Sequence, residues 1–316
     1  MENNDQQKIS IPLFALNLAL LCGLIGLIFM AYGLLHKTTI KKNDRGGTVV
    51  VNTRAFADVI VQAKAVYVYD IATKTVLYQK NETAQLPLAS LTKLMTALVA
   101  TNLAPANTQV TIKKEFLNTE GDNGLLSQET WKLKDLLDFS LVTSSNDGAR
   151  SVASVIGATQ TQTGNYTVGR KDFIEKMNTE ATRLGLSQTY FINESGLDEG
   201  IQQSGGYGSA ENVAQLLGVI LNTHPEILEA TKYIGATVSS LSKNHNIENT
   251  NKDISKIPGL IASKTGYTAL AGGNLAVVFD AGLGRPVAVV VLGSTIDGRF
   301  SDVHSLVNAT LLSLQQ

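Results

Sequence analysis

The chain has a single cysteine, Cys22, so it can form no internal disulfide, no cysteine-rich zinc site and no CxxC redox pair. It also has almost no net charge: 26 Lys+Arg against 27 Asp+Glu leaves −1. Without a basic excess or a run of like charge, a nucleic-acid partner bound through a cationic surface is excluded. Histidine is scarce, and His36, His224, His245 and His304 show no H-E-x-x-H or other ligand spacing, so no metal or cofactor is expected. No repeat of 20 to 50 residues is visible, which removes solenoids and propellers. What remains is 316 residues at 44% hydrophobic and 17% charged, enough to bury a sizeable core.

Residues 11–35 run without a charged side chain. As a helix this stretch would reach roughly 37 Å at about 1.5 Å per residue, enough to cross a bilayer. A cleaved signal peptide would have a shorter apolar core and a better small-x-small site than Ala31-Tyr32-Gly33. The sequence therefore divides into a short tail (1–10), a transmembrane anchor (11–35), a tether (36–60) that includes an entry strand or helix, and one folded domain (61–316). Lys37, Lys41, Lys42 and Arg45 follow the anchor, against Lys8 before it. The positive-inside rule alone would keep the domain in the cytoplasm, although the rule weakens for long translocated domains.

Ala65–Asp70 and Lys74–Tyr78 are β-rich and close enough to form a hairpin, as are Asn274–Asp280 and Pro286–Leu292 near the other end. Between them lies a helical middle. Leu91, Leu94, Met95 and Leu98 recur at helical spacing, and Leu136, Leu137, Phe139, Leu141 and Val142 make a second apolar run. Lys171–Gly185 and a segment capped by Ser209 supply two more helices. Strands, then helices, then strands predict an α+β domain whose terminal strands join one antiparallel sheet packed by helices.

Ser90-Leu91-Thr92-Lys93 opens the first helix, and the i, i+3 spacing puts a hydroxyl and an amine on one face. A serine needs a neighbour to take its proton, and a lysine serves only if burial or another cation lowers its pKa. The N–H of Ser90 at the helix start is available to an oxyanion. Alone the pattern is weak: Ser240-Leu241-Ser242-Lys243 repeats it in a polar stretch that reads as a surface loop. Ser144-Ser145-Asn146 and Lys264-Thr265-Gly266 read singly as a helix-terminal turn and a polar strand end just before the C-terminal strands. In this order the three match the S-x-x-K, S-x-N and K-T-G set of penicillin-binding proteins and class A β-lactamases.

With these motifs, and with Pro87–Thr96, Ser145-Asn146-Asp147, Met177-Asn178, Leu184-Gly185-Leu186, Phe191-Ile192-Asn193 and Gly196-Leu197, the chain resembles the serine D-Ala-D-Ala carboxypeptidases, the low-molecular-mass penicillin-binding proteins, over most of residues 65–315. The resemblance implies a β-lactamase/DD-peptidase-like domain that trims peptidoglycan stem peptides and is acylated by β-lactams. It implies Ser90 as nucleophile, Lys93 as base, and Lys264 as the cation that keeps Lys93 neutral. It further implies Ser144 as proton relay, Asn146 as holder of the peptide amide, and Thr265 and Gly266 at the substrate carboxylate. Tyr267 would offer a second oxyanion N–H, and Arg299 would support the carboxylate or be an ordinary surface arginine.

Two positions depart from the family pattern. Tyr267 stands where relatives often carry histidine, and Ser145 where they carry glycine or aspartate. A class A-like β-lactamase is the alternative, but its E-x-x-L-N string is absent. A membrane-tethered penicillin-binding sensor without significant turnover is the other. Because assembled cell wall lies outside the membrane, the substrate places the catalytic domain outside the cytoplasm, against the charge count.

Overall fold

The computed structural model describes residues 38–42, 48–117, 120–121, 124–282 and 284–314, with side chains from 54 onward. The expected anchor, 11–35, lies outside them, and among the described residues no helix is long and apolar enough to cross a membrane. Within the expected tether, Thr38–Lys42 pairs antiparallel with Thr48–Asn52, and a 3-10 turn over Thr53–Phe56 leads into the domain.

Five strands build the central sheet: β1 (Ala65–Asp70), β2 (Thr75–Lys80), β5 (Leu260–Thr268), β6 (Gly272–Asp280) and β7 (Pro286–Ser294). A separate hairpin, β3 (Gly235–Ser239) and β4 (Asn244–Glu248), precedes β5. The sheet order is β5-β6-β7-β1-β2, antiparallel throughout, so the two ends of the domain meet at the β7–β1 pair. Both expected hairpins form. The first turns at Lys74, which takes φ +55 and leaves the second strand to begin at Thr75.

The helices are α1 (Lys93–Leu103), α2 (Leu133–Val142), α3 (Asn146–Thr161), α4 (Tyr166–Arg183), α5 (Ala210–Thr223) and α6 (Gly298–Leu314). Helix α4 starts earlier than the apolar period suggests, because Asn165 Oδ1 accepts from the N–H groups of Thr167 and Val168. Ser209 caps α5 through the N–H of Asn212, as its position implies.

Both sheet faces are covered, which is why the last strands read as continuous apolar runs. Ala65, Ala262, Ala276, Ala288 and Val290 face the helical layer that contains α1 and α5. The small side chains let helices lie close to the sheet. The alternate residues Val66, Val68, Val277, Val287, Val289 and Val291 face Phe300, Val303, Leu306 and Val307 of α6. The Asp302 carboxylate on α6 accepts from the N–H groups of Gln62 and Ala63, both at 2.9 Å, and from Ser294 Oγ at 2.7 Å. One buried side chain thus joins α6 to the entry of β1 and the end of β7.

Lys264-Thr265-Gly266 lies inside β5, the sheet's edge strand, just before β6 and β7, in line with its reading as part of a polar strand end. Its polar residues border the site, so no apolar alternation marks the strand. Ser240-Leu241-Ser242-Lys243 is a surface turn as expected, that of the β3–β4 hairpin, with 241–243 exposed; Ser240 alone is buried, and its hydroxyl donates to Glu129 Oε1 at 2.7 Å.

Candidate active site

Ser90 sits in a 3-10 turn, Ala89–Thr92, that runs directly into α1. Ala89 takes φ +48, a conformation uncommon for a residue with a side chain. Gly196 packs against it so tightly that a Cβ there would meet the Ala89 carbonyl oxygen at 1.8 Å. The Ser90 turn is thereby held from below by a residue distant in sequence.

Lys93 Nζ has three neighbours: Ser90 Oγ at 2.9 Å, Asn146 Oδ1 at 2.7 Å and the Ser195 carbonyl at 3.0 Å. Asn146 Oδ1 and the carbonyl can only accept. A neutral amine gives its two N–H groups to them and keeps its lone pair for the Ser90 hydroxyl. Burial pulls Lys93 from 10.5 down to about 7, with Glu194 opposing more weakly. The geometry therefore suits a base at physiological pH.

Ser144 also takes a left-handed backbone, φ +63, between α2 and α3. Its Oγ accepts from Lys264 Nζ at 2.8 Å, and the same ammonium donates to the Thr265 carbonyl at 2.9 Å. Ser145, fully buried, caps α3 by accepting from Gly148 N at 3.0 Å, so the middle residue of S-x-N serves the helix rather than the cleft. Asn146 Nδ2 donates to the Glu120 carbonyl at 2.6 Å.

Burial, followed by the charges of Lys93 and Arg299, pushes Lys264 well below the usual lysine range. Burial is the largest cause at both amines, and because their repulsion is mutual, a charge on either one favours the neutral form of the other.

Strand β5 closes the other side. A Cβ on Gly266 would stand 2.9 Å from the Leu88 carbonyl and 3.2 Å from Ser90 N, so only glycine lets this strand lie against the Ser90 turn. Thr265 Oγ1 is 2.5 Å from Thr250 Oγ1. Tyr267 has an exposed side chain at the cleft edge. Arg299 is not a surface residue: it is 9% exposed, and its Nη1 donates to the Gly266 carbonyl at 2.8 Å.

A family model for D-alanyl-D-alanine carboxypeptidases matches residues 51–295. The chain belongs to the D-alanyl-D-alanine carboxypeptidase family. It is 29% identical over 257 residues to the carboxypeptidase DacF of Bacillus subtilis, an alignment covering 78% of this chain and 61% of that relative. It thus spans less than two thirds of that protein. A variant of a Streptomyces DD-transpeptidase superposes with a TM-score of 0.72 at 25% identity, covering 80% of this chain and 99% of that one. A penicillin-binding protein of Listeria monocytogenes with ampicillin bound gives 0.68 at 28% identity, over 80% and 99%. The α+β penicillin-binding fold is common to all three chains.

Within this family fold, motif reading missed three contributors. Ser195 offers only its backbone to Lys93, which no side-chain motif reveals. The signal was Asn193-x-Ser195-Gly196: Asn193 Oδ1 accepts from the N–H groups of Ser195 and Gly196 and shapes that turn. Asn274 Nδ2 donates to the carbonyls of Pro87 and Leu88, both at 3.0 Å, fastening β6 to the segment before Ser90. Thr250 reaches Thr265 from outside any motif.

Proposed function

We propose that the protein is a serine DD-peptidase that removes the terminal D-alanine from peptidoglycan stem peptides through a Ser90 acyl-enzyme. The observation that carries this reading is the buried Lys93 amine, 2.9 Å from Ser90 Oγ and lowered by burial to about 7. Family membership supports it.

Ser90 Oγ attacks the carbonyl of the penultimate D-alanine as Lys93 takes its proton. The N–H groups of Ser90 and Tyr267 receive the developing oxyanion. Ser144, backed by Lys264, passes a proton to the departing amine as the C–N bond breaks. Thr265 and Arg299 hold the terminal carboxylate, with Gly266 giving it close backbone approach. Asn146 orients Lys93 through Oδ1, and its Nδ2 exchanges the Glu120 carbonyl for the substrate amide. Water then hydrolyses the ester.

A β-lactam acylates the same serine, in line with the ampicillin-bound relative. Without an E-x-x-L-N glutamate the adduct persists. Residues 11–35 anchor the chain in the cytoplasmic membrane, and the domain 61–316 faces outward, where cell-wall substrate lies. Release of D-alanine from a D-Ala-D-Ala peptide, absent in Ser90→Ala, tests the reaction; equal release by both proteins sinks it. Mass spectrometry after penicillin treatment tests the adduct, and protease treatment of intact spheroplasts tests the topology.

A further inference from the structure

The turn that offers its Ser195 carbonyl to Lys93 also carries a buried acid, Glu194. It is fastened to α1 at two successive carbonyls: Ser195 O accepts from Lys93 Nζ at 3.0 Å, and Glu194 O accepts from Thr96 Oγ1 at 2.6 Å. Lys93 and Thr96 are three residues apart, so the turn lies along the face of α1 that bears the amine. The Glu194 side chain is held from α4, where Arg170 Nε donates to its Oε2 at 2.8 Å. That carboxylate is 2% exposed, whereas the Arg170 side chain is 30% exposed.

No step of the proposed reaction uses this pair. A buried carboxylate is costly to desolvate, and a buried ion pair often stabilises no more than apolar side chains of the same volume. Stability alone thus gives weak grounds for an acid here. The two charges, moreover, do not cancel at Lys93. Arg170 reaches water, which screens it, while Glu194 and Lys93 are both enclosed and act on each other across a medium of low dielectric. The amine therefore meets a net negative field. Glu194 opposes the effect of burial and holds Lys93 near 7, where a base is best matched to neutral pH.

The cations around the amine act the other way. Lys264 approaches from β5, and Arg299 of α6 acts on Lys264 in turn. Two further carboxylates belong to segments that touch Lys93 or its turn: Asp147, next to Asn146 on α3, and Glu199, whose Oε1 accepts from Asn193 Nδ2 at 2.6 Å. Both stay in place in the variants below, so a change there reports on Glu194 and Arg170.

Resting on the serine DD-peptidase reading, we propose that Glu194, secured by Arg170, is a positioning residue for the base: it holds the Ser195 carbonyl against Lys93, and its charge sets the pH at which the amine can take the Ser90 proton. Residue 194 thus tunes acylation without touching substrate.

The test follows the second-order rate of penicillin acylation against pH for the full-length protein in detergent, which reports the base in the free enzyme. Glu194→Gln keeps the shape and removes the charge, so the midpoint of the rising limb should move down by about half a pH unit or more. Arg170→Gln leaves the carboxylate without its counter-charge and should move the midpoint up. A pair that matters only for packing would lower the rate at every pH and leave the midpoint in place. Circular dichroism and the fraction acylated at the plateau report folding. If Glu194→Gln does not fold, Arg170→Gln, a change at a partly exposed side chain, decides alone. Unmoved midpoints in folded variants, or shifts of the opposite sign, overturn this inference and leave the parent reading intact as long as the wild type acylates. A wild type that neither forms the adduct nor releases D-alanine overturns both.

Discussion

Gly266 and Ser90, 176 positions apart in sequence, are neighbours through backbone alone: a Cβ on the glycine would stand 3.2 Å from the serine N–H nitrogen. The edge strand and the Ser90 turn are thus in direct contact, at the place proposed for the oxyanion. Gly266→Ala has to push β5 away from the Leu88 carbonyl and Ser90. A displacement approaching 1 Å costs on the order of 100-fold in rate. We expect kcat/KM for D-alanine release and the rate of penicillin acylation to fall together by about that factor, with circular dichroism unchanged. A variant that acylates normally contradicts the contact.

Acylation should rise with pH through about 7 and level off above it, because Lys93 is depressed to about 7 by burial and acts only as the neutral amine. The rate of penicillin acylation against pH measures this directly. The same shift acts on stability. Between about 7 and 10.5 the unfolded chain holds a proton on this lysine that the folded chain lacks, so stability rises with pH across that window. Below 7 both forms are protonated and the trend ends. Denaturation midpoints of the wild type and Lys93→Met, compared at pH 7 and 9, should show a pH-dependent gain in the former that is reduced in the latter.

Removing the Arg299 guanidinium should weaken recognition of a free C-terminal carboxylate selectively. A charge-assisted hydrogen bond contributes about 1.5–3 kcal/mol, or roughly 10- to 100-fold. Arg299→Gln should therefore raise KM for a D-Ala-D-Ala peptide by that order while kcat changes less. The same peptide ending in an amide should show no comparable difference between the two proteins. Equal losses on acid and amide would make Arg299 a support for Gly266 alone.

Asp302→Ala tests the closure of the domain far from the cleft. It removes the acceptor for two buried N–H groups and the Ser294 hydroxyl. Leaving such donors unsatisfied costs about 1–3 kcal/mol each, so the melting temperature should drop by several degrees or more. Penicillin acylation per folded molecule at low temperature should stay at the wild-type level. A melting temperature unchanged within error would show that the Asp302 ties contribute nothing to stability.

Much of the site was readable because its chemistry is local. Ser90 and Lys93 share one turn, Ser144 and Asn146 flank one helix start, and Lys264 and Thr265 are adjacent, so short spacings carry them. The paired apolar runs around 274–280 and 286–292 and the Ser209 cap were equally legible, since strand period and capping depend on immediate neighbours. The full extent of strand 260–268 was not, because residues bordering a cleft abandon the alternation that marks a half-buried strand. Arg299 was undecided between surface and site for a similar reason: a glycine-arginine pair at a helix start has no signature of burial.

From the order of residues alone came the three motifs, the α+β arrangement and a 25-residue uncharged run suited to a bilayer. Tertiary structure alone decided that the Lys93 amine is buried and lowered to about 7. Its pKa depends on burial, and two of its partners are acceptors 53 and 102 positions away. Charge, solvation and the direction of a lone pair are set by what surrounds an amine in space, and no string of letters near position 93 holds that information.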